Sequence, residues 1–223
     1  LENNPGWHVG DSPWKAAQIL KMMRKHNLQP KTVCEVGCGA GEILSRLHEE
    51  LNGVKFSGYE VSPQAYELCL TRQKEGLQFT RGDLLETQEI FDLLLCIDVF
   101  EHVPNYLSFL ERLRGHAGQF IFHIPLDLSL LSILRPARLT RVRYGVGHLH
   151  TFTYESALAV LKDTGYEVMD SFFTAGGVEL EKNKRRFRTA LANLPRRAIG
   201  AFSQRAAAQL LGGYSLLALA KTR

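Results

Sequence analysis

Long apolar runs are the first thing this sequence lacks. No stretch reaches the roughly eighteen consecutive apolar residues of a membrane-spanning helix, and the opening residues show no basic-then-apolar secretion pattern, so a cytoplasmic protein is expected. Cysteine is sparse too. Cys34, Cys38, Cys69 and Cys96 have no paired ligand spacing, and three of them fall in or beside apolar strands, where a free thiol behaves as a small hydrophobe. Disulfides and structural zinc are therefore not expected. Asp98 and His102 stand four apart, but no third ligand can be assigned to them, so the expectation for metal is none.

Negative charge is scarce in one half of the chain. Residues 1–134 hold 12 Lys and Arg against 17 Asp and Glu, while residues 135–223 hold 15 against 6, so the formal charge of +4 hides −5 and +9. A basic half can attract an anionic substrate, nucleic acid or a membrane surface. Its densest run, Lys182, Lys184, Arg185, Arg186 and Arg188, is interleaved with aromatics only at Phe187, which gives stacking on bases weak support. What is present suits one domain: 223 residues, 45% hydrophobic, are enough for a single core with elaborations. Residues 1–30 read as an arm and helix, and 31–223 as the domain, elaborated at 126–150 and 178–211.

The chain is organised around Thr32-Val-Cys-Glu-Val-Gly-Cys-Gly-Ala-Gly-Glu-Ile-Leu44. Val33, Cys34 and Val36 read as a buried strand, Gly37, Gly39 and Gly41 as a turn, and Ile43, Leu44, Leu47 and Leu51 carry the period of a helix face. A glycine turn leading into a helix lets a ligand lie against the backbone. The order G-x-G-x-G does not meet the G-x-G-x-x-G dinucleotide fingerprint, which weakens NAD. The segment resembles the first motif of class I methyltransferases that use S-adenosylmethionine, an acidic residue, any residue, then G-x-G-x-G. That resemblance implies that the backbone of Gly37, Cys38, Gly39 and Gly41 lies against the cofactor and that Glu35 helps hold its amino group.

The rest follows in chain order. Ser12-Pro13 reads as an N-cap and first turn, opening a helix to about His26; Trp7 before it either contacts the cofactor or substrate or packs the arm onto the core. Residues 54–60 read as a second strand ending in Glu60, where a carboxylate can accept both ribose hydroxyls, the role the resemblance also implies; Val61 lines the adenine. In the third strand and turn, Asp83, with the Leu84 backbone, is implied near the adenine amine, which a carboxylate suits because it accepts without donating; a plain Asx turn is the alternative. The run Phe91-Asp-Leu-Leu-Leu-Cys-Ile-Asp-Val-Phe-Glu-His-Val-Pro104 reads as a central parallel strand ending in a polar cluster, Asp98, Glu101 and His102. It is similar to the family's fourth motif in the form common to small-molecule enzymes of the ubiquinone-biosynthesis type. The resemblance puts Ile97 and Asp98 beside the methionine part and leaves His102 to face the cofactor or bond the loop. The N-P-P-Y pattern of adenine and glutamine N-methyltransferases is absent.

After a helix over 105–114 and a fifth strand over 118–125, residues 126–150 set the apolar stretch Leu128 to Leu134 beside Arg135, Arg138, Arg141 and Arg143. A lid over an aromatic or acyl substrate, an interfacial helix on a membrane, or packing with a basic outer face all fit. Gly147-His-Leu-His-Thr-Phe-Thr153 resembles the stretch whose histidine approaches the acceptor, and a neutral imidazole suits proton removal near pH 7. His148 and His150 face opposite ways if extended; His148 is favoured. Thr153 caps the next helix, residues 166–175 form a sixth strand, two basic helices divided by Pro195 fill 178–211 as a cleft wall or dimer contact, and residues 214–220 form the last strand. The expected fold is a doubly wound, seven-stranded α/β sheet with its last strand antiparallel. The expected function is methyl transfer from S-adenosylmethionine to a small or lipid-like acceptor; RNA methylation and a scaffold without turnover are the rivals.

Overall fold

The computed structural model describes residues 9–180 and 194–223. Seven strands form one sheet in the order β3-β2-β1-β4-β5-β7-β6. They are β1 Thr32–Val36, β2 Lys55–Glu60, β3 Leu77–Arg81, β4 Phe91–Ile97, β5 Ala117–Pro125, β6 Tyr166–Thr174 and β7 Ser215–Thr222. The first five run parallel, and β7 lies antiparallel between β5 and β6, with Phe122 opposite Ala218 and Ala218 opposite Ser171. This is the expected fold class.

Strands buried on both faces need apolar residues at every position, and the sheet has two cores for that reason. Leu94, Cys96, Phe120, Phe122, Leu216 and Ala218 face one side, against α4 (Tyr106–Leu113), α7 (Tyr154–Asp163) and α10 (Gln204–Leu211). Their pleat neighbours Leu93, Leu95, Ile121, Leu217 and Leu219 face the other, against α1 (Ser12–Lys25), α2 (Glu42–Glu50) and α3 (Pro63–Leu70). Each strand residue so buried contributes about 1.5–3 kcal/mol for a Leu- or Phe-sized side chain. The N-terminal helix is part of this core, since Ile19 and Met22 are fully buried.

Several boundaries differ from expectation. Ser12 is the first residue of α1 and Asp11 holds the capping position, with Pro13 in the first turn. Residues 126–150 fold as two short helices, α5 (Leu130–Leu134) and α6 (Ala137–Gly145); Ser129 and Ser132 cap α5 reciprocally, and α10 packs against it. Thr153 and Ser156 make the same reciprocal cap on α7. Beyond β6 come α8 (Gly176–Glu179) and α9 (Leu194–Phe202). The expectation that Pro195 divides two helices falls partly on residues outside the described ones; within them Pro195 is the second residue of α9, and a break at Ser203, whose Oγ accepts the Ala206 N–H, starts α10. The basic run 182–188 lies outside the described residues.

Candidate active site

The chain leaves β1 toward β2 on one side, and β4 lies on the other, so the strand order reverses between β1 and β4. Such a switch point opens a crevice at the carboxyl ends of the two strands. The turn after β1 fills one wall. Gly37, Gly39 and Gly41 have φ of 63°, 56° and 75°, the left-handed region closed to most side chains, and a Cβ on Gly41 would come within 2.5 Å of the Phe79 ring. Glu60 braces this turn. Its Oε2 accepts the Gly39 N–H and its Oε1 the Ser62 N–H, both at 2.8 Å. Val61 beside it is 66% exposed, open to a planar ligand. Asp83 Oδ1 accepts the Leu85 N–H, the turn role weighed above, while Leu84 is fully buried in the core.

The turn after β4 forms the other wall. Asp98 has φ 54°, and its carboxylate accepts from Lys15 Nζ at 2.8 Å and from His123 Nδ1 at 2.5 Å; His123 Nε2 bonds Thr174 Oγ1 at 2.9 Å. Ile97, just before it, is buried. Burial alone would raise the Asp98 carboxyl, but His123 and Lys15 hold it below the ordinary carboxylate range. Burial likewise pulls the Lys15 ammonium down, and Asp98 more than compensates, so it ends above its usual value. Trp14, next to Lys15, donates to Glu179 of α8 at 2.7 Å and packs edge-on against His123. These contacts tie α1 across the crevice mouth.

Glu35 is buried under the glycine turn, and its Oε2 has no hydrogen-bond partner. Burial pushes its carboxyl well up, against the pull of Lys15. The folded state thus keeps a proton there that the unfolded chain has lost, and stability falls as pH rises above about 4.3 through the raised value. Glu35→Gln abolishes this titration. The midpoint of Glu35→Gln relative to the parent should therefore climb between pH 5 and pH 8 in thermal melts; a constant difference would mean that Glu35 ionises normally.

A second cluster lies beyond Asp98. Glu101 is fully buried, and neither carboxylate oxygen bonds another residue; burial, then the nearby Asp98, pushes its carboxyl well up. His102 Nδ1 bonds the Gly147 carbonyl at 3.0 Å, and His148 Nδ1 donates to Asp127 Oδ2 at 2.6 Å. The two rings meet edge to face with centroids 4.9 Å apart. The main chain holds the loop here: the N–H groups of Leu149 and His150 both donate to the Glu101 carbonyl. His150 turns the other way, bonding the Val103 carbonyl and packing on Tyr106 at 4.5 Å.

The structure joins Glu60 to the glycine turn after β1, sets Asp98 at the end of β4 with Lys15 and His123, and puts His102 against His148 in the loop beyond, while His150 bonds Val103 and packs on Tyr106. Trp7 lies outside the described residues. Sequence reasoning missed Lys15, His123 and Asp127 as partners, because Lys15 and His123 come from segments read only as helix or strand and Asp127 from the segment 126–150, read for its apolar stretch and arginines. An open groove of about 450 Å³ against α7 and β6 lies toward the other end of the sheet and holds none of these residues.

Residues 13–171 match the family described as a methyltransferase domain. A phthiotriol/phenolphthiotriol dimycocerosates methyltransferase of Mycobacterium leprae is 32% identical over 103 residues, 43% of this chain and 38% of that protein. A ubiquinone biosynthesis O-methyltransferase of Pseudomonas syringae is 30% identical over 132 residues, 52% and 56% of the two chains. The match spans less than two thirds of these relatives' length. Magnesium protoporphyrin IX methyltransferase from Synechocystis, solved with bound SAH, superposes with a TM-score of 0.64 at 17% identity, covering 97% of this chain and 85% of that one. A cyclopropane synthase from Mycobacterium tuberculosis gives 0.65 at 16%, covering 93% and 84%. At such identities the likeness is one of fold.

Proposed function

The chain belongs to the methyltransferase-domain family, and on that premise we propose that it moves a methyl group from S-adenosylmethionine to an oxygen, nitrogen or carbon of a small or lipid-like acceptor. The observation that carries this reading is the three-glycine turn, braced by Glu60 and lying over the unpartnered Glu35 oxygen at the switch point. S-adenosylmethionine, when bound, supplies a methyl group already activated on a positive sulfonium. The part-buried Asp98 carboxylate, held ionised by His123 and Lys15, and the buried Glu35 and Glu60 side chains offer acceptor oxygens to a cationic guest.

Each residue then has a task. Glu60 keeps a second lone pair on each oxygen for the ribose hydroxyls, Val61 covers the adenine, and Asp83 with the Leu84 backbone receives its amine. Lys15 suits the cofactor's carboxylate, and Glu35 its ammonium. The protein mainly aligns donor and acceptor, which is where most of the rate of such a displacement comes from. Where the acceptor must lose a proton, His148 takes it, held in its tautomer by Asp127.

The acceptor enters beneath residues 126–150. Leu130, Ile133 and Leu134 are 48%, 59% and 70% exposed there, beside the α6 arginines, which supports a lipid-like acceptor and contact with a membrane surface. No helix of the described residues is long and apolar enough to cross a membrane. Cytoplasmic residence and a homodimer complete the proposal.

Titration calorimetry tests it. S-adenosylmethionine should bind, and Glu60→Ala should weaken it at least tenfold, since each charge-assisted bond lost costs about 1.5–3 kcal/mol and the turn loses its brace. An unchanged dissociation constant would remove Glu60 from the site. A screen of phenols, acids, amines and bulk RNA then identifies the acceptor; methylation confined to RNA would overturn the small-molecule reading.

A further inference from the structure

Glu101, His102 and His148 each offer a ligand atom, and the three atoms lie within 4.8 Å of one another. We propose that these three residues bind a divalent first-row cation of the zinc, manganese or iron class. Spacing along the chain assigned no third ligand near His102; the structure brings His148 there from the loop after α6, far along the chain from Glu101 and His102.

Three independent features point to a cation. The first is the Glu101 carboxylate, fully buried with neither oxygen bonded to another residue. Such a group costs free energy unless something charged completes it. The second is the outer shell. A metal-binding imidazole is held by an acceptor on its other nitrogen, commonly a carboxylate or a backbone carbonyl. His148 Nδ1 donates to Asp127 and His102 Nδ1 to the Gly147 carbonyl. A neutral ring that donates from Nδ1 carries its lone pair on Nε2. The third is rigidity: the Glu101 carbonyl takes two N–H groups of the His148 loop, so the two halves of the site are fastened to each other before any ion arrives.

Ligand chemistry narrows the ion. Two imidazoles and one carboxylate suit borderline first-row cations over magnesium or calcium, which prefer oxygen alone. Three protein ligands leave coordination positions open, as in catalytic and not structural sites. Asp98 is not a fourth ligand, because Lys15 and His123 occupy its oxygens.

The binding site stands on geometry alone, whereas its use rests on the methyltransferase reading. An acceptor hydroxyl on the open position would be acidified and lose its proton to solvent, with His148 then serving as ligand in place of base. The oxygen forms its bond to the methyl carbon as the carbon–sulfur bond breaks, and sulfur keeps that electron pair.

The test uses tag-free full chain, stripped of metal and titrated with Co2+ and Zn2+ by calorimetry and by visible absorption of the Co2+ form. One equivalent should bind, with ligand-field bands in the Co2+ spectrum. Glu101→Gln and His148→Ala should each weaken binding at least 100-fold. Asp127→Asn, which touches no metal, should weaken it by about 10–100-fold. Thermal melts of the same samples report that the fold is intact, and S-adenosylmethionine is titrated in parallel. Absence of saturable Co2+ binding by the parent, or binding that survives both ligand substitutions, would overturn the proposal. Metal binding without S-adenosylmethionine binding would uphold it and overturn the methyltransferase reading instead.

Discussion

Replacing Asp98 with alanine is expected to lower the unfolding midpoint by about 6–20 °C. The substitution leaves the Lys15 ammonium and His123 in a part-buried site without their shared partner, and removing one member of a buried pair costs about 3–5 kcal/mol, at about 2–4 °C per kcal/mol for a chain of this size. The side chains of Lys15 and Asp98 are 12% and 20% exposed, so the lower half of that range is expected. Lys15→Met combined with Asp98→Ala should recover part of the loss, because the stranded charge goes with it. Acid melts supply the sign. The folded Asp98 carboxyl lies below its ordinary value, so its contribution is present above about pH 4 and fades as pH falls further; the variant should show a shallower acid limb. A midpoint within about 2 °C of the parent would mean that the Lys15 contact contributes little.

Turnover of His148→Ala should fall by about 100-fold or more, while S-adenosylmethionine affinity changes little. The ring is 11% exposed, held by Asp127 and set against His102, so its loss strips the acceptor end and leaves the Glu60 end intact. Both uses of the ring, base or cation ligand, require this fall. The metal-loaded parent separates them: if turnover follows added cation, the ring serves as ligand. His150→Ala is the comparison, and its loss should appear first in the melting curve, because that ring bonds Val103 and packs on Tyr106. Collapse of turnover in His150→Ala with full turnover in His148→Ala would exchange the two assignments.

The sheet was legible because its signals are local. A strand, three glycines and an apolar helix face in immediate succession permit little besides a β-turn-α unit, and the continuous run before Asp98 reads as a strand covered on both sides. The cofactor wall shared that advantage, since Glu35, the glycines and Glu60 stand at strand ends that periodicity alone can place. The acceptor side did not. Asp127 meets His148, and Lys15 meets Asp98, through pairings between distant segments, and no spacing along the chain encodes them. The opposite facing of His148 and His150 could be expected from strand-like alternation, but which of them turns inward was decided by Asp127 and Tyr106.

The position of β7 between β5 and β6 bears on the order in which the chain can assemble. During synthesis β6 emerges well before Ser215–Thr222, yet all of its sheet pairing is to that strand. For the whole interval the far side of β5 and both sides of β6 present unpaired backbone, with Phe122 and Ser171 lacking the Ala218 that stands between them. Exposed strand edges recruit other chains. The nascent protein therefore passes through a stage at which the α1-to-β5 portion is ready to close but half its core is still open, and the risk of aggregation is concentrated there.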